Sequence, residues 1–270
     1  MKTFFKVDGL AITDEMFFLI AGPCVIEDEG LTREIAVETK KITAELGIPY
    51  IFKASFDKAN RSSFGSARGP GIVKGLPILE TIKEKVGVPV LSDIHEPWQA
   101  AQAAGVLSVI KIPAFLSRQT DLLLAAARTG LPLNIKKSQM MGPADILLAV
   151  NKVSESGNRR VMLTERGTFF GYNNLVVDFR SIPLMKESGC PVVMDATHSV
   201  QRPSAANGVS GGDPRFIPLL AAAGIAAGAN GVFLEVHPRP EKALSDGKNT
   251  LPLHELRPLL IRLQKLYNVA

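Results

Sequence analysis

Eight short apolar, β-branched runs recur along the chain, and most end at a polar or charged residue. They are MFFLIAGPC (16–24), PYIFKASF (49–56), VPVLSDIH (88–95), VIKIPAFL (109–116), LPLNIKKS (131–138), RRVMLTERG (159–167), PVVMDATH (191–198) and GVFLEVHP (231–238). Continuous apolar runs of this length fit strands buried on both faces, as parallel strands covered by helices are. Between them lie stretches with apolar residues at three- and four-residue spacing. EIAVETKKITAELG (34–47), ILETIKEKVG (78–87) and DLLLAAARTG (121–130) are examples. Each closes on glycine, a usual helix stop. Residues 217–234 read as a buried helix leading into the eighth strand, because Pro218, three glycines and Asn230 spoil a membrane span.

Eight β-then-α units is the number that closes a (β/α)8 TIM barrel, an α/β fold whose catalytic residues sit at the carboxyl ends of the strands. An enzyme is expected, with one barrel over residues 1–270 and a short N-terminal extension, residues 1–15. The 270 residues are close to the roughly 250 of such a barrel. Two cysteines, Cys24 and Cys190, cannot build a disulfide framework and point to a reducing, cytoplasmic compartment. Asp8, Asp14 and Glu15 interrupt any signal-peptide core. The net charge of +5 is not gathered into a basic run interleaved with aromatics, which argues against nucleic acid. It fits a pocket for small anions.

The strand ends supply that pocket. The second run leaves Lys53 and Ser55, and the next loop carries Asp57, Lys58, Asn60, Arg61, Ser62 and Ser63. The fifth run ends in Lys136 and Lys137, the sixth in Glu165-Arg166-Gly167. Closing the barrel would bring Lys53, Lys58, Arg61, Lys136 and Arg166 toward one rim. Like charges at 4 Å repel by about 4 kcal/mol at an effective dielectric near 20. A polyanionic substrate would relieve that repulsion.

Cys24 ends the first run, His198 the seventh and Glu235 the eighth, with Asp246 in the loop that follows. A barrel sets strands one, seven and eight side by side. One thiolate, one imidazole and two carboxylates suit Zn²⁺, Fe²⁺ or Mn²⁺. Taken singly, Cys24 also fits a small buried apolar residue, and His198, like His95 and His237, fits a hydrogen-bonded rim histidine. Only their convergence favours a metal.

Longer motifs are more specific. FKASFDKANRSS (52–63), RGPG (68–71), SDIHEPWQA (92–100), IPAFLSRQTDLLLAAARTG (112–130), NIKKSQ (134–139), TERGTFFGYNNLVVDFRS (164–181), DATHSVQ (195–201) and LEVHPRPEKALSDG (234–247) occur in this order. Through them the chain resembles the 3-deoxy-D-manno-octulosonate 8-phosphate synthase family over essentially its whole length. The resemblance implies condensation of phosphoenolpyruvate with arabinose 5-phosphate in lipopolysaccharide synthesis. Lys53, Lys58, Lys136 and Arg166 would hold phosphoenolpyruvate, with Ser55 at the same strand end. Asn60, Arg61 and Ser62 would hold the sugar phosphate. Arg118 would reach a neighbouring subunit's substrate in a homo-oligomer, usually a tetramer. Asp93 and His95 would flank the reacting centre, and His198, Asp246 and the substrate phosphate are open candidates for proton acceptor. The family has a metal-dependent class, with cysteine after Ala-Gly-Pro, and a metal-free class with asparagine there. Ala21-Gly22-Pro23-Cys24 implies the first.

The nearest alternative is the related synthase that uses erythrose 4-phosphate, whose sugar-phosphate loop reads Lys-Pro-Arg-Thr or Lys-Pro-Arg-Ser where this chain has Lys58-Ala59-Asn60-Arg61-Ser62-Ser63. A catalytically dead barrel that binds phosphoenolpyruvate without turnover is disfavoured by the intact charged motifs. Residues 201–213, rich in glycine, serine and asparagine, read as a lid loop over the site.

Overall fold

The computed structural model describes residues 2–60, 63–206 and 209–269. The chain starts with a hairpin, β1 (Thr3–Val7) and β2 (Leu10–Thr13). Its turn residues Asp8 and Gly9 both take positive φ, 46° and 87°, as a type I′ turn requires. Next come β3 (Phe18–Gly22), β4 (Tyr50–Lys53), β5 (Val90–Asp93), β6 (Val109–Ile112), β7 (Leu133–Lys136) and β8 (Val161–Glu165). After a small hairpin, β9 (Thr168–Phe169) and β10 (Leu175–Val176), follows β11 (Val192–Asp195). A second hairpin, β12 (Gln201–Ala206) and β13 (Val209–Gly212), precedes β14 (Gly231–His237) and the short β15 (Leu251–Pro252). Strands β3 to β8, β11 and β14 pair parallel in sequence order, and β14 returns to β3. The eight expected runs thus form a closed parallel ring.

Helices α1 (Glu29–Leu46), α2 (Gly71–Thr81), α3 (Gln99–Ala104), α4 (Thr120–Arg128), α5 (Asp145–Glu155), α6 (Ser181–Lys186), the short α7 (Ala196–Ser199), α8 (Ile217–Ala226) and α9 (Leu253–Tyr267) connect or follow the strands. α1 begins five residues before the periodic stretch because Asp28 caps it, its carboxylate accepting from Leu31 N at 2.8 Å. Gly47, at φ 66°, ends it. α2 also starts ahead of its expected stretch and carries Pro77, then widens into a π turn over Ile82–Val86. Within the expected lid segment, Gln201–Ala206 and Val209–Gly212 pair as the antiparallel strands β12 and β13. No helix among the described residues is long and apolar enough to cross a membrane.

Strand side chains alternate between two cores. Leu19, Phe52, Ile110, Leu163 and Val192 pack outward with the helices. Ile20, Ile51, Leu91, Val109, Met162, Val193 and Phe233 fill the ring with Phe5, Val7 and Ile12 of the hairpin. Asp8 at the hairpin turn bonds Ser108, one residue before β6, so the hairpin closes the N-terminal end of the barrel. Among the described residues, the N-terminal extension from Lys2 is therefore a plug. Two residues further along, the inward positions turn polar: Lys53, Asp93, Lys111, Thr164, Asp195 and Glu235, all buried. Polarity at one end and apolar filling at the other leave the chemistry at the C-terminal mouth.

Candidate active site

A cavity of about 870 Å³ opens at that mouth, lined by Lys58, Asn60, Asp93, Lys111, Lys136, Arg166, Gln201, His198 and Asp246 among others. Its floor is organised around Phe233. The ammonium groups of Lys53, Lys111 and Lys136 lie 5.6, 5.0 and 5.0 Å from that ring's centroid, within reach of its negative face. Lys53 Nζ pairs with Glu235 Oε1 at 2.7 Å. Lys136 Nζ lies 2.5 Å from Asp195 Oδ2, and Lys111 Nζ 3.5 Å from Asp93 Oδ1. Buried charges require partners of this kind.

The electrostatics follow. Burial opposes ionisation of Asp93, yet Lys111, Lys58 and Lys53 hold its carboxyl well below the usual range. Asp195 is likewise held far down against burial, chiefly by His198 and Lys136. Burial works against the Lys58 ammonium, but Cys24, Glu235, Asp93 and Asp246 keep its pKa well above an ordinary lysine. Burial depresses the His198 pKa despite Asp195 and Glu235. Arg166 Nη2 donates to His198 O at 2.7 Å and to Gln201 Oε1 at 2.9 Å. Its buried Nε has no hydrogen-bond partner, a donor that an anion could satisfy.

The four proposed metal ligands converge. Donor atoms of Cys24, Glu235 and Asp246 all lie within 4.8 Å of one another. His198 Nε2 stands 3.5 Å from Glu235 Oε1 and 4.0 Å from Asp246 Oδ2. Its Nδ1 is 2.8 Å from Asp195 Oδ2, the kind of outer carboxylate that orients a ligating imidazole. Glu235 Oε2 is buried with no hydrogen-bond partner. Asp246 sits at φ 53°, a conformation costly enough for a non-glycine to mark a constrained position. The donor set fits a divalent transition metal. Burial, then Asp246 and Glu235, push the Cys24 thiol up, so its proton would leave only as a cation arrived. Sγ is also 2.6 Å from Ser245 Oγ and 3.2 Å from Asp246 Oδ2.

Other expected residues are placed differently. Lys53 and Ser55 are fully buried and do not line the cavity. Lys53 anchors Glu235 and donates to the Cys24 carbonyl at 2.7 Å, while Ser55 Oγ donates to Asp93 at 2.9 Å. Lys137 turns away from the mouth: its Nζ donates to Thr168 Oγ1 at 3.0 Å and lies 3.4 Å from Glu165 Oε1, joining the loops after β7 and β8. His95 is half-buried beside the mouth, its pKa lowered by burial against Asp93. Asn60 lines the cavity; Arg118 is exposed and outside it. Arg61 and Ser62 lie outside the described residues. Lys111, which the strand-end pattern passed over, lines the cavity, as does Gln201. The inward alternation Val109–Lys111 was the signal for the first.

Against known proteins, residues 5–269 match the family described as the DAHP synthetase I family. A curated relative from Syntrophobacter fumaroxidans is 51% identical over 98% of this chain and 92% of its own length. Relatives from Koribacter versatilis and Legionella pneumophila are 54% and 53% identical, over 97% and 92% of this chain and 95% and 90% of their own. All three carry the name 2-dehydro-3-deoxyphosphooctonate aldolase.

Proposed function

This chain belongs to the DAHP synthetase I family, and we propose that within it the protein condenses phosphoenolpyruvate with D-arabinose 5-phosphate and water. The products are 3-deoxy-D-manno-octulosonate 8-phosphate and inorganic phosphate, made for lipopolysaccharide. The observation that carries the reading is the cation-lined cavity over Phe233. It is set in a chain whose relatives, over at least 92% of its length, share one aldolase name. That name favours this reaction over the erythrose 4-phosphate alternative.

Both substrates are multiply charged anions. Lys58, Lys136 and Arg166 are cavity cations suited to the carboxylate and phosphate of phosphoenolpyruvate, Arg166 by a planar fork and the lysines as compact charges. Asn60, with Arg61 and Ser62, is assigned to the sugar phosphate, and Arg118 to the substrate of a neighbouring subunit in a homotetramer. In the reaction the enol carbon bonds to the aldehyde carbon and the carbonyl electrons move onto its oxygen. Water adds to the adjacent carbon, and phosphate departs with its bridging oxygen. Catalysis here is chiefly the holding of two anions in attack geometry and the stabilising of developing charge. Asp93, with Lys111 beside it, borders the reacting space, and His95 lies next to it. The proton acceptor is assigned to one of His198, Asp246 and the substrate phosphate. Cys24, His198, Glu235 and Asp246 would hold a Zn²⁺, Fe²⁺ or Mn²⁺ ion, which when bound orients a reacting oxygen and lowers the pKa of water. The protein is assigned to the cytoplasm, where phosphoenolpyruvate is made.

Supplying phosphoenolpyruvate with either arabinose 5-phosphate or erythrose 4-phosphate and measuring phosphate release tests the reading. Release is expected with arabinose 5-phosphate. Turnover confined to erythrose 4-phosphate, or with neither sugar, overturns it.

A further inference from the structure

Of the three lysines gathered over Phe233, Lys111 is held least. Lys53 Nζ donates to Glu235 and to the carbonyls of Pro23 and Cys24, and Lys136 Nζ lies 2.5 Å from Asp195. Among the described residues, the hydrogen bond recorded for Lys111 Nζ is a single long one, 3.5 Å to Asp93 Oδ1. That oxygen also accepts from Ser55 at 2.9 Å. An ammonium carries three donors, and one that is 3% exposed has little water to satisfy the others. Lys111 differs from Lys53 in a second respect, since it lines the cavity. Its register partner on β5 is Asp93, so the strand pairing fixes it at the floor.

We propose that Lys111 is a further substrate-binding residue, whose ammonium holds an anionic oxygen of phosphoenolpyruvate at the cavity floor. This rests on the functional reading above and names a contact that the reading leaves open. Its surroundings give the contact a pH signature. Burial pushes the Lys111 pKa down to about 7, Asp93 on β5 raises it, and Lys136 on β7, Lys53 on β4 and Lys58 in the following loop lower it further. His95 stands beyond Asp93, and the Phe233 ring on β14 completes the surroundings. Above pH 7 much of Lys111 is therefore neutral in the free protein. An arriving anion favours the charged form, so binding draws a proton from solvent.

The test is calorimetric binding of phosphoenolpyruvate to the full-length protein at pH 8, in two buffers of different ionisation enthalpy. Wild type is compared with Lys111→Gln and Lys111→Met, each checked for native circular dichroism. Wild type is expected to take up a fraction of a proton on binding. Both variants should bind about ten- to a hundredfold more weakly, the size of a lost charge-assisted hydrogen bond, and lose that uptake. Lys111→Arg, charged at every pH used, should bind well without it. Unchanged affinity or unchanged proton uptake in the folded neutral variants overturns the assignment while leaving the reaction in place. A wild-type protein that binds no phosphoenolpyruvate removes the functional reading and Lys111's role with it.

Discussion

Replacing Lys53 with methionine isolates the buried pair on which the mouth is built. Lys53 Nζ and Glu235 Oε1 are 2.7 Å apart, and both side chains are 0% exposed. Methionine keeps most of the stem's packing, so the change is largely one of charge. Glu235 then keeps Lys58 at 3.7 Å, and its Oε2 already lacks a hydrogen-bond partner. Removing one side of a buried pair costs about 3–5 kcal/mol, and Lys58 sets the expectation near the lower bound. At about 2–4 °C per kcal/mol for a chain of this size, the thermal midpoint should fall by about 6–12 °C. Scanning calorimetry across pH supplies a second handle. Burial raises the Glu235 pKa, but His198, Lys53 and Lys58 hold it well below the ordinary range. A depressed folded pKa contributes stability above the unfolded value that is lost as pH falls through the folded one. Removing Lys53 raises the folded pKa, so the deficit should be widest at neutral pH and narrow as acid protonates Glu235. Lys53→Met combined with Glu235→Leu removes the stranded charge and should recover most of the loss. A single variant whose midpoint stays within about 2 °C of wild type, or whose deficit widens toward acid, refutes the reasoning.

Arg166→Ala should lower kcat/KM for phosphoenolpyruvate more than about a hundredfold, because about 3–5 kcal/mol is at stake when a buried anion loses its partner; near-normal kinetics would remove Arg166 from the site. Chelation should abolish phosphate release and added divalent metal restore it, and full turnover by chelated protein would refute the metal reading. Metal affinity should rise with pH, since the Cys24 thiol, pushed up by burial, Asp246 and Glu235, must shed its proton on binding; direct metal titration at two pH values reads this. Gly22→Ala would put a methyl 1.9 Å from the Lys53 carbonyl oxygen, costing at least about 1–3 kcal/mol, and an unchanged denaturant midpoint would mean that β3 and β4 can part there.

The barrel was legible because parallel strands covered on both faces write themselves as unbroken apolar runs. The hairpin at the start was equally written and passed over: Asp8-Gly9 between TFFKV and LAIT is a strong two-residue turn signal. Treating residues 1–15 as an extension hid it. In the expected lid segment, glycine, serine and asparagine gave no strand signal, and the pairing of Gln201–Ala206 with Val209–Gly212 overrides that propensity. The candidate metal cluster was visible only as three strand-end residues and one loop residue of suitable chemistry. Asp246's left-handed backbone and Ser245's approach to Cys24 belong to one loop's conformation, on which no periodicity bears.

Lys111 shows where strand-end reasoning has to give way to register. VIKIPAFL ends in apolar residues, so a rule that inspects endings finds nothing there. Yet Lys111 is two residues past inward-facing Val109, and alternation alone turns it into the ring. Register then decides its partner, because Asp93 stands directly opposite on β5. The Lys53–Glu235 pair obeys the same logic across an intervening strand. Glu235 is level with Gly22 of β3, and β3 runs beside β4, so no side chain between them bars contact. At Lys136 the intervening strand offers Thr164 in register, a small residue past which Lys136 reaches Asp195. Lys53, Lys111 and Lys136 are thus each matched to an acid by strand pairing and by a small or absent neighbour. A one-residue slip in any of these strands would turn its charge outward. The proposed anion site is therefore as much a property of the ring's register as of its lysines.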